Sequence, residues 1–213
     1  MTSHSNPPKA PFTQRQSWKH VARRIRVPLG FVTAALYIFE VAQHPARPMA
    51  IVWSLALVAP GLALRAAASG TVKKNRELTI SGPYAYTRNP LYLGSALIAA
   101  GFALALQSWL LAIVLVAGFA VIYIPVIAGE EQFLRSTFPG FDDYCRQVPR
   151  FFPRLASART ESGESAGGGM RSGFSFALYL KHREYNSALG AALLYLSLLY
   201  LRPLLELLLG RIR

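Results

Sequence analysis

A single cysteine, Cys145, stands among the 213 residues. No intrachain disulfide is therefore possible, and no cysteine-based metal cluster can form. Acidic residues are scarce as well, 10 against 23 Lys and Arg, for a net charge of +13. Such a surplus would suit nucleic acid if it lined one soluble face. Here the basic residues fall between apolar runs, so no nucleic-acid partner is expected. No small-residue cleavage site follows the first apolar run, which is therefore expected to be retained as a helix rather than removed as a signal peptide. A glycine-rich dinucleotide fingerprint is missing too.

What is abundant is apolar surface: 53% of the residues are hydrophobic and the mean hydropathy is +0.29. It is concentrated in runs of bilayer-spanning length at 27–43, 49–68, 91–107, 108–127 and 186–209. The pattern predicts an all-α, polytopic membrane protein with about five transmembrane helices. Ahead of the first run lie Lys9, Arg15, Lys19, Arg23, Arg24 and Arg26 with no acidic residue, and Lys73, Lys74, Arg76 and Arg88 lie between the second and third. The positive-inside rule puts both stretches, and with them the N-terminus, in the cytoplasm. The expected organisation is a basic mobile tail at 1–26, a membrane core at 27–153, a Ser- and Gly-rich linker at 154–173, and an amphipathic segment with a last membrane helix at 174–213.

Local signals refine this plan. The prolines of "HPARP" end one helix and permit a turn into the next. Glu40 is expected to reach water or pair with Arg47, and Arg65 either snorkels to the headgroups or faces the cytoplasmic loops to help hold an anion. "LQSW" leaves almost no loop between the third and fourth runs, which must form a tight antiparallel hairpin or a re-entrant pair. The small residues of the third run, Gly94 apart, read as close helix packing. "LRP" at 201–203 leaves the last helix either a short span with a kinked end or one that dips in and returns, the second option being supported by Arg211 and Arg213.

Two polar clusters flank the predicted hairpin. "GPYAYTRNPLYLG" at 82–94 opens the third run, with Asn89 as the expected N-cap, Pro90 in the first turn and Tyr92 at the interface. Arg88 sits at that helix N-terminus, the end where a cation is least favoured. "EEQFL" at 130–134 follows the fourth run, and an acidic pair at a helix C-terminus is likewise unfavourable. The hairpin brings the two clusters together, so the acids ask for a cation, either Arg88 or a ligand, and Arg88 asks for an anion.

Residues 61–153, with "GLALRAAASG", "GPYAYTRNPLYLG", "EEQFL" and "FPGFDDYCRQVPRFFP" in that order, resemble the integral-membrane methyltransferases that include isoprenylcysteine carboxyl methyltransferases and phospholipid N-methyltransferases. The resemblance implies S-adenosylmethionine bound in a cytoplasmic segment and a lipophilic acceptor entering from the membrane lipids. It implies cofactor contacts at Tyr84, Arg88, Asn89, Tyr92, Gly94, Glu130, Glu131, Tyr144 and Arg150, with Pro149 in the closing segment, catalytic roles for Arg88, Asn89 and Tyr92, and no metal. Asn89 departs from the family pattern, in which the eukaryotic carboxyl methyltransferases carry histidine. Asparagine hydrogen-bonds but does not titrate, which excludes a proton relay there.

Methyl transfer from a sulfonium is an in-line displacement, so the protein must chiefly position two reactants and exclude water. An acceptor carboxylate needs a cationic holder, for which Arg88 is suited, whereas an amine must lose a proton, for which Glu130 or Glu131 is the nearby candidate. The simpler chemistry favours carboxyl methylation of an isoprenylcysteine-like acceptor. The alternatives are N-methylation of a phospholipid or other amine, a non-catalytic membrane scaffold, and a nicotinamide-dependent membrane reductase.

Overall fold

In a computed structural model the described residues are 14–45, 47–73, 77–155 and 173–210. Lys9, Lys74, Arg76, Arg211, Arg213 and most of the expected linker lie outside them. Among the described residues the chain is all helical: α1 (Gln14–Gln43), α2 (Pro48–Thr71), a 3-10 turn at Gly82–Ala85, α3 (Pro90–Leu106), α4 (Trp109–Thr137), α5 (Phe141–Gln147), α6 (Phe176–Lys181) and α7 (Tyr185–Gly210). α2, α4 and α7 are long and apolar enough to span a membrane, while Pro28–Gln43 and Pro90–Leu106 are shorter apolar helices. Large side chains such as Phe31, Trp53, Val116 and Leu193 point outward, as lipid-facing surfaces require.

The boundaries differ from the sequence expectations in three places. α1 already begins at Gln14, inside the stretch expected as a tail. α4 runs on to Thr137, because "EEQFLR" continues the apolar run with strong helix formers. The acidic pair therefore lies within α4 and not at its end, so the dipole argument for a compensating cation does not hold. α7 is a single helix through Pro203. Glu40 is buried, 7% exposed, and its partner is His44 one turn on, at 3.4 Å, instead of water or Arg47.

α3 and α4 form the tight hairpin. Gln107 takes a left-handed conformation, φ 52°, that closes α3, and the Ser108 hydroxyl caps α4 by accepting from Leu111 N at 3.1 Å. α2 crosses α3 at glycines. A Cβ on Gly61 would lie 2.8 Å from the Gly94 carbonyl oxygen, and one on Gly101 would lie 2.5 Å from Val58 Cγ2. α7 lies against α1 and α2, where Tyr37 and Ser197 hydroxyls meet at 2.7 Å and those of Ser54 and Tyr195 at 2.8 Å. Val41, Val58, Phe102, Leu111 and Leu198 form the buried core between these helices.

Gly94, set apart from packing in the sequence reading, belongs to this crossing. A Cβ there would lie 2.6 Å from Arg65 Cγ and 2.7 Å from the Gly61 carbonyl oxygen. Gly94→Ala is expected to cost about 1–3 kcal/mol through overpacking against backbone. A thermal unfolding midpoint in detergent equal to that of the parent would show that the helices part without penalty.

Candidate active site

The end of the hairpin opposite Gln107 is closed by a second, smaller cluster. Phe141, Tyr144 and Val148 are buried, with Leu78, Ile80, Leu134 and Phe138 packed around them. α5 is short, but Asp142 and Asp143 in its first turn and Arg146 in its last suit the helix dipole, and Arg135 reaches Asp142 at 2.7 Å.

This cluster lets the 149–154 stretch lie alongside 82–89. Arg88 N donates to Pro149 O at 3.0 Å, and Arg154 N to Tyr86 O at 3.1 Å. The Thr87 hydroxyl donates to Phe151 O at 2.9 Å, and the Tyr144 hydroxyl to Tyr84 O at 2.7 Å. Asn89 occupies the N-cap position of α3 but makes no side-chain cap. Its amide instead donates to Arg150 O at 2.8 Å. The expected cap is thus a strap, and buried Thr87 is a second strap for which the sequence offered no signal beyond its place beside Arg88.

Arg88 and Glu131 meet inside this frame. Arg88 Nη1 lies 3.2 Å from Glu131 Oε1 and 2.7 Å from Cys145 Sγ, with the arginine side chain 15% and the glutamate 10% exposed. Arg150 completes a fork on the same carboxylate, Nε to Oε1 at 3.1 Å and Nη2 to Oε2. That hydrogen bond is the main cause that raises the Arg150 pKa. Of the two partners left open for the acidic pair, Arg88 or a ligand, Glu131 takes Arg88, and it is thereby an anion for that arginine. One donor is left over, because Arg88 Nε is buried without a partner among the described residues.

Glu130 behaves differently from its neighbour. It is exposed, it accepts from the Tyr92 hydroxyl at 2.8 Å, and no cation pairs with it among the described residues. The Tyr84 phenol is pushed well up by burial, then by the Glu130 and Glu184 carboxylates, and burial likewise raises that of Tyr144.

These groups open onto a cavity of about 810 Å³, lined by Tyr84, Arg88, Asn89, Tyr92, Glu130, Glu131 and Tyr144 among others. Of the residues expected from sequence, Gly94 and Arg150 do not line it: the first is at the helix crossing and the second grips Glu131. A mostly apolar cavity of about 750 Å³ adjoins it, bounded by α1, α3, α4 and α7. Arg65, Ser95, Ile122 and Tyr123 line both. Arg65 does not snorkel to the headgroups. Its guanidinium binds Glu184, a residue that sequence reasoning missed because the pairing spans 119 positions and no periodicity reaches across them. No group of three or more His, Cys, Asp or Glu side chains lies close enough to hold a metal among the described residues.

The chain is thus an all-α polytopic membrane protein with a polar, charge-paired cavity at one end of a helical hairpin and an apolar cavity beside it. Residues 66–140 match the phospholipid methyltransferase family, which bears out the resemblance over that segment and supports a membrane methyltransferase. The nickel-cobalt-cadmium resistance protein of Alcaligenes xylosoxydans xylosoxydans is 42% identical over 90 residues, and the cobalt-zinc-cadmium resistance protein of Cupriavidus metallidurans is 43% identical over the same length. Each match covers 42% of this chain and 42% of the relative, so less than half of those proteins' length is matched. No solved structure matches the chain.

Proposed function

We propose that the protein is an S-adenosylmethionine-dependent methyltransferase whose acceptor is lipophilic and is held with its polar end in the charged cavity and its apolar part in the adjoining one. The observation that carries this reading is the pair of cavities sharing a wall at Arg65, Ser95, Ile122 and Tyr123. The polar cavity, about 810 Å³, has the size of a cofactor site.

Its charges fit the group the family implies. The methionine end of S-adenosylmethionine carries a carboxylate and two cationic centres. Arg88 and Arg150 outnumber Glu131 by one charge, and the unpartnered Arg88 Nε is a donor that a bound carboxylate would satisfy. Glu130 supplies the opposite sign at the cavity wall. When bound, the cofactor supplies an electrophilic methyl group. The protein's part is to orient: the Asn89 and Thr87 straps fix the closing stretch, Glu131 fixes Arg88, and the aromatic series Tyr92, Tyr123, Phe119 and Phe151 screens the site from water.

A second guanidinium, that of Arg65, lines the same cavity, which favours an acceptor that presents a carboxylate, and so carboxyl O-methylation of an isoprenylcysteine-like molecule. Glu130 supports the second reading, an amine acceptor such as a phospholipid headgroup, because it is a carboxylate able to take the proton such an acceptor must lose. Transfer of a labelled methyl group from S-adenosylmethionine into a membrane lipid extract, followed by base treatment, separates the two. Base-labile label means ester, base-stable label means N-methyl, and absence of transfer, with or without cofactor binding, overturns the function.

In this reading the basic residues ahead of the first apolar run and those after α2 support a cytoplasmic N-terminus and a cytoplasmic loop at 72–88. Glu77 is half exposed in that loop. In a Cys145→Ser background, Glu77→Cys should resist an impermeant thiol reagent applied from outside and react once the membrane is opened. Labelling from outside reverses the orientation.

A further inference from the structure

Arg65 leaves α2 at the crossing with α3, where the absence of a side chain on Gly94 lets its stem pass. Its head then bridges three elements. Nη1 donates to the Ser95 hydroxyl and to Leu91 O at 3.4 Å on α3, while Nε and Nη2 donate to Glu184 Oε1 and Oε2 at 2.6 and 3.2 Å. Glu184 belongs to the turn between α6 and α7, beyond the family-matched segment that ends at residue 140.

The pair is not needed to fasten that turn to α2. Ser175 N already donates to Gly70 O at 2.8 Å, His182 Nδ1 lies 2.8 Å from Ser69 O, and Phe174 fills the place where Gly70 has no side chain. A buried ion pair is also weak support for stability in its own right. Yet Glu184 is held with care. Its carboxylate accepts from the Ser187 hydroxyl at 2.7 Å, and the preceding Arg183 adopts φ 53°, the left-handed conformation that closes α6 just ahead of it. The guanidinium so fixed stands at the seam of the two cavities.

We propose that Glu184 is a positioning residue for methyl transfer: it holds the Arg65 guanidinium across the seam, so that residues 173–210 complete the site and set the register in which a lipophilic acceptor lies. The inference rests on the methyltransferase reading above. It assigns Arg65 to the acceptor side, since the residues fitted to the cofactor are Arg88 and Glu130.

The test uses the full chain in mixed micelles, labelled S-adenosylmethionine and a total membrane lipid extract as acceptor probe. Glu184→Gln is expected to raise the apparent KM for lipid on the order of tenfold, as misplacement of a positioning group does, with cofactor Kd changed less than about twofold. Arg65→Lys, which keeps the charge and loses the fork, should behave the same way. The exchanged pair Arg65→Glu with Glu184→Arg should recover the thermal midpoint without recovering the KM. An unchanged KM in both single variants, or full recovery of transfer in the exchanged pair, makes the contact a tether and overturns the role. A parent that neither binds S-adenosylmethionine nor methylates any lipid overturns the functional reading, and the role with it. Binding without transfer does the same.

Discussion

Glu131→Gln should lower stability by on the order of 3 kcal/mol, because it removes the one anion that, among the described residues, balances a largely enclosed arginine. The sequence reading treated the two adjacent acids alike and left their partner open between Arg88 and a ligand. The geometry separates them. Glu131 is 10% exposed, lies 3.2 Å from Arg88 Nη1 and takes both arms of the Arg150 fork. Without its charge, Arg88 keeps Cys145 as a neighbour but no counterion among the described residues, where its Nε is already without a partner. The Arg150 side contributes less, being 53% exposed and so screened by water. Arg150→Gln should therefore cost well under half as much as Glu131→Gln. The check is the apparent thermal midpoint of the two variants in the same detergent. Equal and small shifts would mean that the 82–89 and 149–154 stretches are held by their backbone straps alone, and that Glu131 is free to serve a ligand.

Much of this was legible along the chain, and the failures share a cause. Apolar runs located the helices, and "LQSW" located the hairpin, because in both cases the signal is local. Helix ends were misplaced where polar residues with high helix propensity continue an apolar helix, as at Glu130 to Arg135. Asn89 was read as a cap because capping is a local habit of asparagine, yet its amide is claimed by Arg150 O, 61 positions away. Gly94 looked like a ligand-facing glycine because it ends a motif, while the constraint on it comes from Gly61 and Arg65 on another helix. Arg65 was left open between lipid and loop, since its partner lies beyond a linker that severs any pattern. Chemistry that depends on one stretch could be read; chemistry that depends on pairing between stretches could be named but not assigned.

Glu130→Gln is the counterpart experiment, with the effects reversed: cofactor affinity should fall at least on the order of tenfold, about 1.4 kcal/mol, while the thermal midpoint stays close to that of the parent. Glutamine still accepts the Tyr92 hydroxyl, so the contact at 2.8 Å survives and only the charge is lost. That charge faces the cavity without a cation among the described residues, unlike Glu131. A cationic centre a few ångströms away would gain several kcal/mol of attraction at the effective dielectric of a partly closed site, and much less in open water. Tyr92→Phe makes the control. It frees the carboxylate of its one hydrogen bond and keeps the charge, so binding should change little. Raising the salt concentration should weaken the parent's binding only modestly, because a charge inside a cavity is screened less than one on the surface. If Glu130→Gln binds S-adenosylmethionine as tightly as the parent, the acid is a solvated residue on the wall of α4, and the cationic part of the ligand must be sought elsewhere in the cavity.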